Sequence, residues 1–336
     1  MKPFLRRVTA LLLLSITLAA CGVVDALSGD QSVRVYSGRH YDLEVAFEQY
    51  AGTSGVDVEF LFGGDAELRE RLSAEGEDTL ADVFMTVDAA NLELAASEDL
   101  LQPMQGTAID LIPDNLVHPD GLWIGLSKRV RTIMYHPDRV DRSELSTYED
   151  LADPKWQGRL CMRNSNNVYT QSLVASLIHH HGYEGALEIV SGWVENDTEI
   201  MSNDIAILET IAAGGCDVGI TNHYYLARLL EEDPGFPVLP FWANQGDRGV
   251  HVNVSGAGVT AEADNPDLAT DLIDWLASDG QEAFVYGNHE YPANPEVEPP
   301  PLVQEWGEFE EDPLNASVFA ALNADAIRLM NEAGYD

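Results

Sequence analysis

The sequence predicts an α/β protein of two lobes, in which two series of strands and helices alternate and long extended segments connect them. Strand and helix patterns follow one another from residue 32 to residue 86, and a second series begins at residue 158. The β-rich stretches "GLWIGLSKRVRTIMYHP" and "GVHVNVSGAGVT" are interpreted as crossings between the lobes. A chain of 336 residues has room for two domains of roughly 150 residues each.

The first series alternates short strands with amphipathic helices. "SVRVYS" predicts a strand, and the helix "DLEVAFEQYAGTSG" places Leu43, Phe47 and Tyr50 on one face and ends near Gly55. "VDVEFLF" and "ADVFMT" predict two further strands, separated by the helix "DAELRERLSAEGE". This alternation is typical of a parallel sheet.

The second series begins at "GRLCMR", which follows the loop and helix "TYEDLADPKWQG". Helices are predicted in "TQSLVASLIHHHG" and "EGALEIVSGWVEN", and the strand "CDVGI" leads into the helix "YYLARLLEEDP". A helix pair in "NPDLATDLIDWLASDGQEAFV" is expected to return to the first lobe. Proline keeps the chain extended from "EYPANPEVEPPP" onward, and the amphipathic helix "NASVFAALNADAIRLMNEAG" closes it.

The N-terminus has the pattern of an export signal. Residues 1–20 combine basic residues at 2, 6 and 7 with the apolar run "VTALLLLSITLAA", which is too short to remain as a membrane span. The run ends in "LAACG", which resembles a bacterial lipobox whose Cys21 is lipidated. An ordinary small-residue cleavage site followed by a chance cysteine is the alternative. Residues 22–31 are predicted to be a linker.

The charge balance excludes nucleic acid as a partner. Removal of the three basic residues within 1–20 leaves 57 acidic against 15 basic residues. Lysine occurs only at positions 2, 128 and 155, against fifteen arginines. Such a carboxylate surface repels itself in dilute buffer and is tolerated where salt screens it, so the composition indicates a salt-adapted organism.

Two further cysteines, Cys161 and Cys216, remain after Cys21 is set aside. In an exported protein they can form one disulfide. Two buried thiols are the alternative, because spacing alone does not show that the sulfur atoms meet.

Tyrosines follow three predicted strands at the point where a helix begins. His40 and Tyr41 follow "SVRVYS", Tyr169 follows "RLCMR", and Tyr224 and Tyr225 follow "CDVGI". Ligands of open α/β sheets bind at the carboxyl ends of the strands, so these rings converge if the lobes face each other. A tyrosine at any one of these positions is also consistent with simple packing.

A cluster of phenol oxygens suits a small, highly charged cation that displaces their protons. Ferric iron is such a cation, because it favours anionic oxygen, and neutral imidazole is a compatible ligand. Four phenolates against three positive charges leave one negative charge in excess. Arg39, Arg163 and Arg228 stand within a few residues of the tyrosines and are candidates to offset it, with surface ion pairing as the alternative.

Five stretches together resemble a known family. "YSGRHYD", "ADVFMTVDAANL", "DPKWQGRLCMRNSNNVYTQSLVASLI", "CDVGITNHYYLARL" and "HVNVSGAGVT" are similar to the ferric-iron-binding proteins of ABC transporters, particularly the branch that uses a histidine and several tyrosines. The resemblance covers nearly all of residues 32–335. It implies ligation of Fe(III) by His40, Tyr41, Tyr169, Tyr224 and Tyr225. His223 departs from the expected pattern. It is expected either to lie around the ligands without coordinating the metal or to serve as a spare ligand.

The same resemblance implies the bilobed periplasmic-binding-protein fold, similar to a transferrin lobe, with a hinge of two crossing strands. Residues 32–125 and 255–290 are then expected to form lobe 1, and residues 126–254 and 291–336 lobe 2. The expected partners are an ABC permease and its ATPase. We expect a monomer outside the cytoplasm that performs no catalysis and contacts the membrane only through its lipid anchor.

A second function stays open at this point. The tyrosines are also compatible with the walls of a pocket for an anionic small organic molecule, held by helix N-termini and arginines.

Overall fold

The computed structural model describes residues 32–39 and 44–336. The predicted signal peptide, Cys21, the linker, and the candidate ligands His40 and Tyr41 lie outside these residues. Within them, the strands are β1 Ser32–Ser37, β2 Asp57–Phe62, β3 Val83–Thr86, β4 Leu101–Gln102, β5 Ile124–Tyr135, β6 Leu160–Arg163, β7 Glu199–Met201, β8 Val218–Asn222, β9 Leu239–Phe241, β10 Val252–Thr260 and β11 Tyr291–Pro292.

The α-helices of the described residues are α1 Glu44–Ser54, α2 Asp65–Glu75, α3 Ala89–Ser97, α4 Val168–Glu195, α5 Asp204–Ala213, α6 His223–Glu232, α7 Pro266–Leu276, α8 Gln281–Tyr286, α9 Pro301–Gln304 and α10 Ser317–Ala333. Short 3₁₀ turns occupy several of the connections. The predicted alternation of strands and helices is confirmed in both series.

One sheet runs through the described residues in the order β2-β1-β3-β10-β5-β8-β6-β7. At its two ends the strands pair in parallel, as expected for strands connected by helices. In the middle, β10 pairs antiparallel with β3 and β5, and β5 pairs antiparallel with β8. The sheet is therefore mixed rather than uniformly parallel, because the two long strands run opposite to their neighbours.

The two predicted crossings correspond to β5 and β10. The first half of β5 pairs with β10, whereas its second half, from Arg131 to Tyr135, pairs with β8. A single strand thus belongs to both halves of the sheet. This arrangement places the carboxyl ends of β1 and β3 in one half and those of β6 and β8 in the other.

The long helix α4 contains the two helices that the sequence predicts. Two helices were predicted between residues 170 and 196, and the structure joins them across Gly182, whose φ of 70° and ψ of 171° are not helical. Glycine adopts this conformation without the steric cost that a side chain would add. The second half of α4 therefore continues after a kink.

Candidate metal centre

Helices α4 and α6 position the three candidate tyrosines that the structure describes. Asn167 caps α4 by accepting a hydrogen bond from the Tyr169 backbone N–H at 3.1 Å. Helix α6 begins at residue 223, directly after β8. Because β6 and β8 are parallel neighbours, the helices that follow them begin at the same edge of the sheet, and their first turns meet.

The tyrosine cluster is compact. The hydroxyl oxygens of Tyr224 and Tyr169 lie 3.5 Å apart. The rings of Tyr224 and Tyr225 lie side by side, with centroids 4.3 Å apart and planes inclined by 37°. Tyr224 is fully buried, Tyr169 is buried and Tyr225 is half-buried. The structure thus brings together candidate ligands from two of the three strand ends.

Arg129 is a member of this cluster that sequence reasoning missed. Its Nη1 donates a hydrogen bond to the Tyr169 hydroxyl oxygen at 2.8 Å. Its guanidinium carbon lies 5.1 Å from the Tyr224 ring centroid, within the range of a cation–π contact. A positive charge beside a phenol oxygen stabilises the anionic form of that oxygen. Arg129 lies in the middle of β5 close to two other basic residues, Lys128 and Arg131, so the sequence alone does not single it out.

Among the curated and structural relatives, similarity extends over almost the whole chain. The model of the bacterial extracellular solute-binding protein family matches residues 78–305. "Iron uptake protein A1" of Synechocystis is 39% identical over 95% of this chain and 93% of its own length. The chain belongs to this family, in the group of ferric-iron-binding proteins of ABC transporters.

Solved structures agree with this assignment. A Trichodesmium protein in complex with iron and citrate ligands matches 91% of this chain and all of its own, with a TM-score of 0.87 and 42% identity. The ferric binding protein of Campylobacter jejuni matches 90% of this chain and all of its own, with a TM-score of 0.84 and 29% identity. The expected periplasmic-binding-protein fold and the expected family are therefore confirmed. The lobe boundaries stay a prediction.

Solute-binding proteins of this family carry a solute and perform no chemistry on it, in agreement with the expectation that the chain is not an enzyme.

Within the described residues, no group of three or more His, Cys, Asp or Glu side chains is arranged to hold a metal ion. In the part of the chain that the structure describes, no helix has the length and hydrophobicity needed to cross a membrane.

The three arginines named from the sequence differ in their contacts. In this solute-binding protein the Arg228 guanidinium lies 5.5 Å from the Tyr224 ring centroid and 5.9 Å from that of Tyr225. Arg39 is fully buried and pairs with Glu290. The Arg163 guanidinium instead donates to the Asp204 carboxylate at 2.7 Å.

His223 packs against the tyrosine cluster, and backbone groups hold its ring in place. The Val130 N–H donates to its Nδ1 at 3.1 Å, and its Nε2 donates to the His289 carbonyl at 2.9 Å. Both ring nitrogens are therefore occupied by backbone groups, which argues against a role as a spare ligand. Burial lowers the pKa of His223 to about 4, so the ring is neutral. It packs edge-on against Tyr224, with centroids 5.8 Å apart.

Two buried carboxyl groups lie at the strand ends of the other half of the sheet. Asp88 caps α3 by accepting from the Ala90 N–H, and it also accepts from the Ser172 hydroxyl on α4 at 2.9 Å. Asp65 accepts from the Val87 N–H at 3.1 Å. Burial, with a smaller contribution from the charge of Asp88, raises the pKa of Asp65 to about 7. The Asp88–Ser172 bond thus joins the α3 cap to the first turns of α4.

A disulfide connects the two strands that lead to the tyrosines. Cys161 lies in β6 and Cys216 two residues before β8, and their sulfur atoms are bonded, with Cα atoms 6.0 Å apart. The bond lies before the carboxyl ends of both strands. It therefore restrains the pair of strands on which the candidate site is built.

Proposed function

We propose that this protein captures ferric iron outside the cytoplasm and delivers it to an ABC permease and its ATPase. The observation that carries the proposal is the 3.5 Å separation between the Tyr169 and Tyr224 oxygens, with Arg129 bonded to the first of them. A cation with metal–oxygen bonds of about 2 Å is able to contact two oxygens at this separation. Phenolate oxygens favour a hard, highly charged cation such as Fe(III).

We further propose that His40 and Tyr41 complete the ligand set together with Tyr225. They follow β1, which belongs to the half of the sheet opposite β6 and β8. Coordination by both groups would then tie the two halves of the protein together. Arg129 and Arg228 would offset the negative charge that four phenolates leave around a trivalent ion.

The relatives support iron over an organic anion as the solute. Two curated relatives from Synechocystis are named as iron uptake proteins, at 39% and 41% identity. The Trichodesmium structure contains iron together with citrate. A citrate-like anion beside the metal is therefore compatible with the same site.

Export and anchoring are part of the proposal. The apolar run of residues 1–20 and the lipobox-like "LAACG" support cleavage before Cys21 and its lipidation. A net charge of −39 for the full chain supports adaptation to a salty medium. Both features concern how the carrier is held and where it works, and neither affects the ligand set.

A ferric titration tests the proposal. Chelator-stripped protein is titrated with ferric citrate, and a visible band from phenolate bound to Fe(III) is expected to saturate at one iron per chain. Citrate alone should produce no band. Tyr224→Phe should weaken the band and the affinity. Tyr50→Phe, which changes a buried tyrosine that packs against Trp275, is the matched control and should leave both unchanged.

Two results would contradict the proposal. If the parent protein stays colourless with excess ferric citrate, the tyrosines do not bind iron. If citrate without iron binds as tightly as ferric citrate, the protein is a receptor for an organic anion.

A further inference from the structure

Glu290 lies behind the tyrosine cluster, in the connection between α8 and β11, and its side chain is completely buried. Its Oε1 pairs with Arg129 at 2.9 Å, and its Oε2 pairs with Nη1 of Arg39 at 2.5 Å. The Ser127 hydroxyl and the Asn288 side-chain amide also donate to this carboxylate. One buried anion therefore stands between two buried guanidiniums.

Each of these two arginines is close to one part of the proposed iron site, Arg129 by a contact and Arg39 in the sequence. Arg129 donates to the Tyr169 oxygen at 2.8 Å, so Glu290 is separated from a candidate ligand by a single side chain. Arg39 immediately precedes His40 and Tyr41 in the sequence. Glu290 therefore pairs with Arg129, which contacts the candidate ligand Tyr169. It also pairs with Arg39, the residue that precedes two further candidate ligands in the sequence.

We propose that Glu290 is a positioning residue for iron binding, which limits the positive charge that Arg39 and Arg129 present to the tyrosine oxygens. The inference rests on the proposed function. Loading the site replaces phenol protons by Fe(III) and changes the local charge, so a neighbouring charge alters the balance between protonated and iron-bound tyrosines. In a buried region this influence is stronger than at the surface, because water does not screen it.

Glu290 is ionised in this surrounding. Burial raises its pKa, but the charges of Arg129 and Arg39 outweigh that effect and hold the pKa at about 2. The other titratable or charged groups that face this network are His223, Asp65 and Asp88, together with Arg228, which donates to Asn288. All of them stay unchanged in the variants below, so differences between variants report on Glu290 and Arg39 alone.

Charge-changing variants with opposite signs test this role. Glu290→Gln adds one net positive charge and should shift the pH of half-maximal iron release downward by about one unit, at the lower end of the pKa shifts that a nearby charge produces. Arg39→Gln removes one positive charge and should shift it upward by a similar amount. The double variant Arg39→Gln/Glu290→Gln restores the net charge and should release iron close to the parent pH.

A control at a partly buried carboxylate separates this effect from the loss of an ion pair as such. Asp217 also lies between two arginines, Arg139 and Arg159, at 2.8 and 2.7 Å. It directly precedes β8, at the opposite end of that strand from Tyr224. Asp217→Asn should therefore lower the melting temperature without changing the visible band or the pH of iron release.

The variants also address failure to fold. Arg39→Gln keeps the Arg129–Glu290 pair and carries the test if Glu290→Gln does not fold. The role is overturned if Arg39→Gln releases iron at the parent pH, if both single variants shift the release in the same direction, or if the double variant does not return toward the parent.

A failure of the proposed function itself would look different. In that case no visible band forms in the parent. Tyrosine ionisation in the metal-free proteins, followed by ultraviolet difference absorbance, then tests the role of Glu290 without iron. Ionisation should begin at lower pH in Glu290→Gln and at higher pH in Arg39→Gln, and identical curves would overturn the inference.

Discussion

Replacement of Tyr169 and of Tyr225 by phenylalanine should separate ligand chemistry from packing. The Tyr169 oxygen accepts a 2.8 Å hydrogen bond from a charged donor, Arg129, and the tyrosine is 7% exposed. A hydrogen bond to a charged group contributes about 1.5–3 kcal/mol. Tyr169→Phe should therefore lower the free energy of unfolding of the metal-free protein by about 2 kcal/mol.

Tyr225→Phe should behave differently in the metal-free protein. Tyr225 is half-buried, and its ring contact with Tyr224 is kept by phenylalanine. The expected loss of stability is within about 0.5 kcal/mol. Ferric affinity should nevertheless fall in both variants by more than the 10–100-fold that is typical when a partner of a metal ligand is lost.

The assay combines urea unfolding of the stripped proteins with ferric titration of the folded ones. The slope of the unfolding free energy against urea should stay constant, so that a change in midpoint reports stability alone. Tyr50→Phe serves as the control for removal of a hydroxyl group. If Tyr169→Phe and Tyr225→Phe both bind iron with the parent affinity and colour, the tyrosines are packing residues and the ligand assignment fails.

Three further predictions concern stability. The free energy of unfolding of Cys161→Ala/Cys216→Ala should be lower by about 4 kcal/mol, because the disulfide closes a loop between residues 55 positions apart. Thiol titration of the unfolded, non-reduced parent should find both cysteines blocked, and two free thiols would contradict this. Because the pKa of Asp65 is raised in the folded state, its contribution to stability is complete below about pH 4 and is lost as the pH rises to about 7. The free energy of unfolding should therefore decline by up to about 4 kcal/mol across that window, and Asp65→Asn should flatten the decline. An unchanged pH profile would refute the assignment. The melting temperature should rise from dilute buffer to molar NaCl as screening weakens carboxylate repulsion, whereas a flat or falling curve would remove the argument for salt adaptation.

The elements and the tyrosine positions were accessible from the sequence because both depend on local patterns. Alternation of apolar residues located the strands, and strand ends followed by tyrosines indicated where α4 and α6 begin. Parallel pairing of β6 with β8 then brings Tyr169 beside Tyr224, as the rule for carboxyl ends of strands predicts. The helix boundary predicted at Gly182 coincides with the kink in α4, because glycine adopts the non-helical conformation found there.

The charged groups around the tyrosines were not accessible in the same way. Arg129 is 40 residues from Tyr169, and Glu290 is 251 residues from Arg39, so no local pattern links the members of either pair. Proximity in sequence suggested Arg163, but Asp204 lies close enough to pair with it. A buried arginine and an exposed one look alike in the sequence, and only the tertiary contacts distinguish them.

Anomalous diffraction at the iron absorption edge, from crystals of the ferric-loaded protein, tests the central claim most directly. The account predicts a single strong peak within bonding distance of the Tyr169, Tyr224 and Tyr225 oxygens, with His40 and Tyr41 completing the coordination. A peak elsewhere in the molecule, or one whose ligands exclude these tyrosines, would contradict it.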